Sequence, residues 1–288
     1  MTWLLFASGT ALFEALKDVT GKQTLKTLDE YAVLFGFMSV GVLVLLPVIL
    51  LTDGFPVLGP NFGGALLVGG SLNILAFIFY VRAIKIADLS LTVPLVTLTP
   101  LFLLATSPLI VQEWPTWADG VGVILLVMGS YVLNLRTKDQ SFWTPLLTLV
   151  RHQGSRLMLC VAFIWSITAN FDKIGTLNSS PMFWAMSLFA VIAAGMVPFM
   201  IQRGPAGLYA LKAEAKLLGL TGCLNVVAIC LQFMALPLAP VAQVVAVKRT
   251  STLIAVVLGH FVFGEKGLRE RLLGAAIMVT GVAIMALF

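Results

Sequence analysis

Apolar runs of about twenty residues, parted by short polar turns, recur along the whole 288-residue chain. At about 1.5 Å per residue, a helix of that length crosses a hydrocarbon layer roughly 30 Å thick. The runs predict helical spans at 3–19, 31–52, 62–83, 88–110, 116–135, 156–174, 182–202, 215–236, 239–263 and 268–287. Alternating strand patterns are absent, and only helices or closed barrels satisfy the backbone in lipid, so the fold predicted is an all-α membrane protein with ten transmembrane helices. The longest polar interval, Arg136 to Arg156, separates a first five-helix repeat (1–137) from a second (156–288). The linker between them, 138–155, holds a short apolar piece, Pro145 to Val150, placed along the interface.

The two halves answer one another at a spacing of 152 residues. Asn73 falls on Asn225, Glu113 on Glu265, Gly122 on Gly274 and Gly129 on Gly281, all in one ungapped register. Apolar coincidences mean little in such a chain, but Asn, Glu and Gly matches in a single register mark a duplication. Asp18 and Gly21 fall against Asp172 and Gly175 at a spacing of 154. With five spans each, the halves enter the membrane in opposite senses, which is the inverted-repeat plan of many secondary transporters.

Charge gives the chain an orientation. Of 18 Lys and Arg, fifteen fall in turns on one predicted side, Lys173 on the other, and Lys248 and Arg249 within a span. By the positive-inside rule the rich side is cytoplasmic, which puts both termini on the non-cytoplasmic face. Hydrophobic residues make up 59% of the chain and charged ones 11%, with a mean hydropathy of +1.02, far from soluble norms. The net charge of +5 is thus assigned to lipid headgroups, with no nucleic-acid partner. Cys160, Cys223 and Cys230 lie in predicted spans, and His152 and His260 have no companions at ligand spacing, so neither a metal nor a cofactor is expected. The first residues lack a signal peptide's basic start and cleavage site and are taken as the first span.

Several motifs carry a resemblance. These are ALFEALKD (Ala11 to Asp18), Phe263-Gly264-Glu265-Lys266 followed by Gly274 and Gly281, and the matching Glu113, Gly122 and Gly129, set in a five-plus-five duplication. With them the chain resembles the EamA-like branch of the drug/metabolite transporter superfamily over essentially its whole length. The resemblance implies a ten-helix transporter with one central cavity opening alternately to each side. The Lys248-Arg249 pair is similar to the Lys-Arg of the plastid phosphate translocators, which implies a phosphate on the substrate. The chain departs from that branch in having no Lys or Arg between Leu89 and Val111. Glu14 is similar in position to the first-helix glutamate of the small multidrug resistance branch, which takes up protons and cationic drugs.

The candidate site centres on Lys248 and Arg249, midway along the ninth span. Each such cation costs roughly 2.5 to 3.5 kcal/mol at a helix centre, so a pair there faces a polar interior. A guanidinium fork and a compact ammonium suit a phosphate or carboxylate, and Thr252 stands one turn on; the structural alternative is an ion pair with a carboxylate of another helix. Glu14 is the internal candidate for that partner, as coupling group or counter-charge, unless it belongs with Lys17 and Asp18 to the headgroup zone. Asn73 and Asn225 either bond across a helix interface or line the cavity, and Gln232, Gln243, Thr97 and Trp165 are candidates for a polar route. Glu113 and Glu265 are read as fixing turns, and the four glycines as letting helices approach.

The function expected is a secondary membrane transporter of a small organic anion, phosphorylated or carboxylated and including a lipid-linked phosphate, working by alternating access. The other transporter reading is a proton-coupled exporter of drugs, amino acids or other metabolites with Glu14 as proton site. An intramembrane enzyme would need a nucleophile with its base, paired carboxylates or a metal cluster, and none is apparent. The expected setting is a bacterial inner membrane, as monomer or homodimer among lipids.

Overall fold

The computed structural model describes residues 1–24, 28–52, 54–86, 93–134, 152–263 and 268–288. The linker piece Pro145 to Val150, Glu265 and most of the segment 138–155 lie outside the described residues. The helices are α1 (Thr2–Thr24), α2 (Glu30–Leu51), α3 (Phe62–Ile86), α4 (Thr99–Ile110), α5 (Trp117–Asn134), α6 (Gln153–Leu177), α7 (Pro181–Ala213), α8 (Ala215–Ala235), α9 (Val241–Lys248), α10 (Ser251–Phe263) and α11 (Leu268–Leu287). Short 3-10 helices at Val93–Leu98 and Leu236–Leu238 precede α4 and α9. Five segments are long and apolar enough to cross a membrane: Glu30–Leu51, Phe62–Ile86, Gln153–Leu177, Pro181–Gly204 and Ala215–Leu238. Shorter apolar helices occupy Leu95–Ile110, Trp117–Val132 and Leu273–Leu287. Side chains such as Leu43, Leu67, Leu109 and Ile201 are more than 70% exposed, an apolar surface suited to lipid rather than water.

Three predicted spans differ from the helices found. The seventh continues to Ala213 past a kink at Gly204, whose φ of 61° lies in the left-handed region that glycine enters without a Cβ penalty. In the fourth, expected as one helix, the described residues open with the 3-10 turn Val93–Leu98 and become α-helical at Thr99. Pro100 has no N–H for the Val96 carbonyl, and the Thr99 hydroxyl donates to that carbonyl instead, at 2.7 Å. Pro100 then sits in the first turn of α4, where a missing N–H is harmless. The ninth, also expected as one helix, is interrupted between α9 and α10 at Arg249 and Thr250. There the Arg249 N–H is shared between the Val245 and Ala246 carbonyls, and the Thr250 N–H bonds three residues back to Val247. The Thr250 and Thr252 hydroxyls donate to the Val247 and Arg249 carbonyls, at 2.7 and 2.9 Å, and such back-bonding competes with the regular ladder.

The chain packs as two compact units, each drawing on both sequence halves. The first comprises Met1–Ile74 and Phe171–Ala239. In it α8 packs on α1 and α2, and α2 on α7. At one end Trp184, fully buried, donates its indole N–H to Asp172 Oδ1 at 3.1 Å and meets the edge of Phe62. At another, Asp29 caps α2 by accepting from the Tyr31 and Ala32 N–H groups and holds Arg203 Nε at 2.7 Å. Glycines set two crossings: a Cβ on Gly70 would lie 2.7 Å from Val191 Cγ1, and one on Gly222 would lie 2.6 Å from Val40 Cγ1.

The second unit comprises Leu75–Asn170 and Pro240–Phe288. Its densest contact joins α5 and α11, running antiparallel, with Gly122 against Gly281 and Gly129 against Gly274. A Cβ on Gly122 would stand 2.7 Å from the Gly281 oxygen, and one on Gly129 would stand 2.6 Å from the Gly274 oxygen. The glycines therefore permit close helix approach, as expected. Val123, Leu126, Met278 and Met285 complete this core, and α9 adds Ala246.

Candidate functional site

Within the second unit, the interrupted helix and the 3-10 turn meet. Arg249, half-buried, donates from Nη2 to Thr99 Oγ1 at 3.1 Å, and Thr99 is 1% exposed. Because the Thr99 hydroxyl donates onward to the Val96 carbonyl, guanidinium, hydroxyl and carbonyl form one directed chain. A hydrogen bond from a charged donor is worth more than a neutral one, and this one steers the guanidinium. Lys248 is the last residue of α9, beside Arg249, and is also half-buried. The cations therefore stand at a helix terminus and a tightened turn, where the backbone ladder is already irregular.

The N-terminal end of α9 is fixed to the turn between α4 and α5. Glu113 Oε2 accepts from the Val241 N–H at 2.8 Å, a carboxylate at a helix N-terminus. Asp119 and Thr116 bond reciprocally at the start of α5 in a capping box. The other Asp119 oxygen accepts from Gln243 Nε2 at 2.6 Å. This Glu113 contact thus anchors the start of α9 across 128 positions, a tertiary contact beyond the turn role expected of it, and Gln243 is held by a carboxylate.

Of the remaining candidates, Thr97 is buried on the 3-10 turn of this unit. Trp165 meets Phe77 edge-on and Tyr80 at a tilt, each at a ring-centroid distance of 5.8 Å, in the cluster that includes Val96. Thr252 directs its hydroxyl to the Arg249 carbonyl, which shapes the turn. Four candidates belong to the first unit. Glu14 Oε1 is ion-paired with Lys17 Nζ one turn on, at 2.6 Å, and Asp18 lies 3.6 Å from the same ammonium. Asn73 is buried and donates to the Gly69 carbonyl of its own helix. Asn225 and Gln232 are buried on α8, and Asn225 Nδ2 has no hydrogen-bond partner. Three hydroxyl or acidic side chains that the sequence did not single out are central here: Thr99, Thr116 and Asp119. The run Thr250, Ser251, Thr252 and the Thr99-Pro100 pair were signals for the two irregular turns.

Among the described residues no group of three His, Cys, Asp or Glu is arranged to hold a metal ion. A family model described as the EamA-like transporter family matches residues 1–135 and again 152–287. None of the curated proteins matches the chain. A solved structure described only as "Crystal structure of protein" is 15% identical, with a TM-score of 0.73 over 99% of this chain and 96% of the other. At that identity the likeness bears on the fold alone.

Proposed function

Since the chain belongs to the EamA-like transporter family, within the drug/metabolite transporter superfamily, we propose that it carries a small organic anion by alternating access. The solute is a phosphorylated or carboxylated metabolite, or the phosphate of a lipid-linked carrier. Lys248 and Arg249 hold its anionic group, with Thr97, Thr252 and Trp165 of the same unit as further lining residues. The observation that carries this reading is the coincidence of two irregular turns with the two cations. In the 152-residue register Thr99 corresponds to Ser251 and Thr97 to Arg249, so α4 and α10 begin at equivalent positions, each just after an irregular turn. Discontinuous helices near the midplane of inverted repeats are where transporters bind their solutes.

The inverted repeat itself is supported by reciprocal contacts. Gly122 meets Gly281 and Gly129 meets Gly274, while Gly122 corresponds to Gly274 and Gly129 to Gly281. A contact i–j′ mirrored by j–i′ is the signature of a two-fold relation. In the other unit Gly70 meets Val191 and Gly222 meets Val40, a similar pattern in which the glycines are 152 apart and the valines 151. The ten helices then form two five-helix repeats, 1–137 and 156–288, joined by a cytoplasmic linker. The membrane is a bacterial inner membrane with both termini outside the cytoplasm, following the lysine and arginine bias. Glu14 is proposed to balance charge, and it is ion-paired with Lys17 of its own helix, the grouping that the headgroup-zone reading expects.

The test is uptake into proteoliposomes. A thermal-shift screen of phosphorylated and carboxylated metabolites on the purified protein selects the labelled anion. Arg249→Leu abolishes saturable uptake of it, while Glu14→Gln retains most. Normal uptake by Arg249→Leu would overturn the reading. Proton flux coupled to a cationic solute, lost in Glu14→Gln, would replace it with the proton-coupled exporter.

A further inference from the structure

Thr106 and Ser107 on α4, with Ser166 and Asn170 on α6, are buried polar side chains of the second unit. Asn170, which is 0% exposed, donates from Nδ2 to the Ser166 carbonyl at 2.8 Å and to Thr106 Oγ1 at 3.2 Å. The Thr106 hydroxyl itself donates to the Ser166 carbonyl, at 3.3 Å. These bonds fix the amide, because turning it over would set its oxygen against the Ser166 carbonyl. Asn170 Oδ1 is then a buried acceptor with no donor, and Ser107 Oγ, on the residue next to Thr106, is a buried hydroxyl with no partner. An orphaned polar atom sealed from water is costly, since nothing replaces its lost hydration. Here an acceptor and a donor stand idle together, on two helices already bonded to each other and one position away from that bond.

We propose that Ser107 and Asn170 form a latch that closes in a second conformation, with the Ser107 O–H donating to Asn170 Oδ1. Consecutive Cα atoms lie about 3.8 Å apart and about 100° apart around a helix, so the last turn of α4 must swivel part-way to bring Ser107 toward the place of Thr106. Pro108 lies in that turn. It offers no N–H to the Leu104 carbonyl, which makes this the part of α4 that bends most easily. A hollow of about 10 Å³, about the least that holds one water, adjoins Leu103, Leu104 and Ser107 and leaves slack for the movement. The inference rests on the alternating-access reading, which requires two conformations of similar free energy. In the conformation described above the Thr106 bonds are made and the latch is open; in the other, closing the latch offsets bonds lost elsewhere. Thr99 lies two turns before Thr106 on the same face of α4, about 10 Å away, and holds Arg249. The helix that swivels is therefore the one joined to the proposed solute ligand.

The first test uses the full-length protein in membrane vesicles, with Cys160, Cys223 and Cys230 replaced by alanine. Ser107→Cys is combined with Asn170→Cys, and Thr106→Cys with Asn170→Cys reports the contact already made. An oxidant cross-links both pairs, read by mass as two thiols lost to labelling, and the Ser107 pair stops uptake until a reductant is added. Cross-linking of the Thr106 pair alone means that Ser107 never reaches Asn170, and overturns the proposal. The second test is the maximal uptake rate in proteoliposomes of the anion selected by the thermal-shift screen. Ser107→Ala slows it at least fivefold in the natural background and leaves it unchanged in Asn170→Ala, without lowering the unfolding temperature, since the hydroxyl bonds nothing in the open form. Equal slowing in both backgrounds means that Ser107 acts through another group, such as a water in the hollow, and overturns the proposal; so does no slowing in either. The cross-link needs no solute. A Ser107 cross-link in a protein that takes up no anion would overturn the anion reading alone, and anion uptake in a protein where only the Thr106 pair cross-links would overturn this inference alone.

Discussion

Thr99→Val is the sharpest probe of the arrangement around Arg249. Valine keeps the shape of threonine and removes the oxygen that accepts from Arg249 Nη2 and donates to the Val96 carbonyl. A hydrogen bond to a charged group contributes roughly 1.5 to 3 kcal/mol. If half of that orients the guanidinium for the solute, the Michaelis constant for the anion rises about 3- to 12-fold, since about 1.4 kcal/mol is a factor of ten. The Val96 carbonyl also loses its donor in a place that Pro100 keeps free of the helical bond, which costs roughly 1 to 3 kcal/mol of stability. The assay is initial uptake against anion concentration in proteoliposomes, with thermal unfolding measured alongside. Thr99→Ser restores both values toward wild type, because it keeps the oxygen. Wild-type half-saturation in Thr99→Val, with protein intact, would refute the claim that this hydroxyl positions Arg249.

Other perturbations follow from the packing. Gly129→Ala places a Cβ 2.6 Å from the Gly274 oxygen, and overpacking of this kind destabilises by roughly 1 to 3 kcal/mol; a lowered unfolding temperature checks it, whereas Gly120→Ala, with open space at that position, leaves it unchanged. Asp172→Leu leaves the buried Trp184 indole N–H without its acceptor, at a cost of roughly 1 to 3 kcal/mol, read as lower thermal stability and altered tryptophan emission.

What could be read from residue order alone was the solvent each segment prefers and the duplication. Helical runs and the glycines of α5 and α11 follow from local pattern, because hydrophobic length and small residues act wherever helices pack. Three-dimensional packing decided the rest. Nothing local says that Thr99 receives Arg249 across 150 positions, or that Asp119 holds Gln243 across 124. Nor does composition say that Glu14 takes Lys17 beside it. Backbone irregularity at Leu98 and Arg249 arises where hydroxyl side chains compete for carbonyls, a balance of about a hydrogen bond's strength that only the folded surroundings tip. Hydrophobic periodicity is a sum over many residues and survives any one of them, while a polar contact depends on one partner arriving at one place.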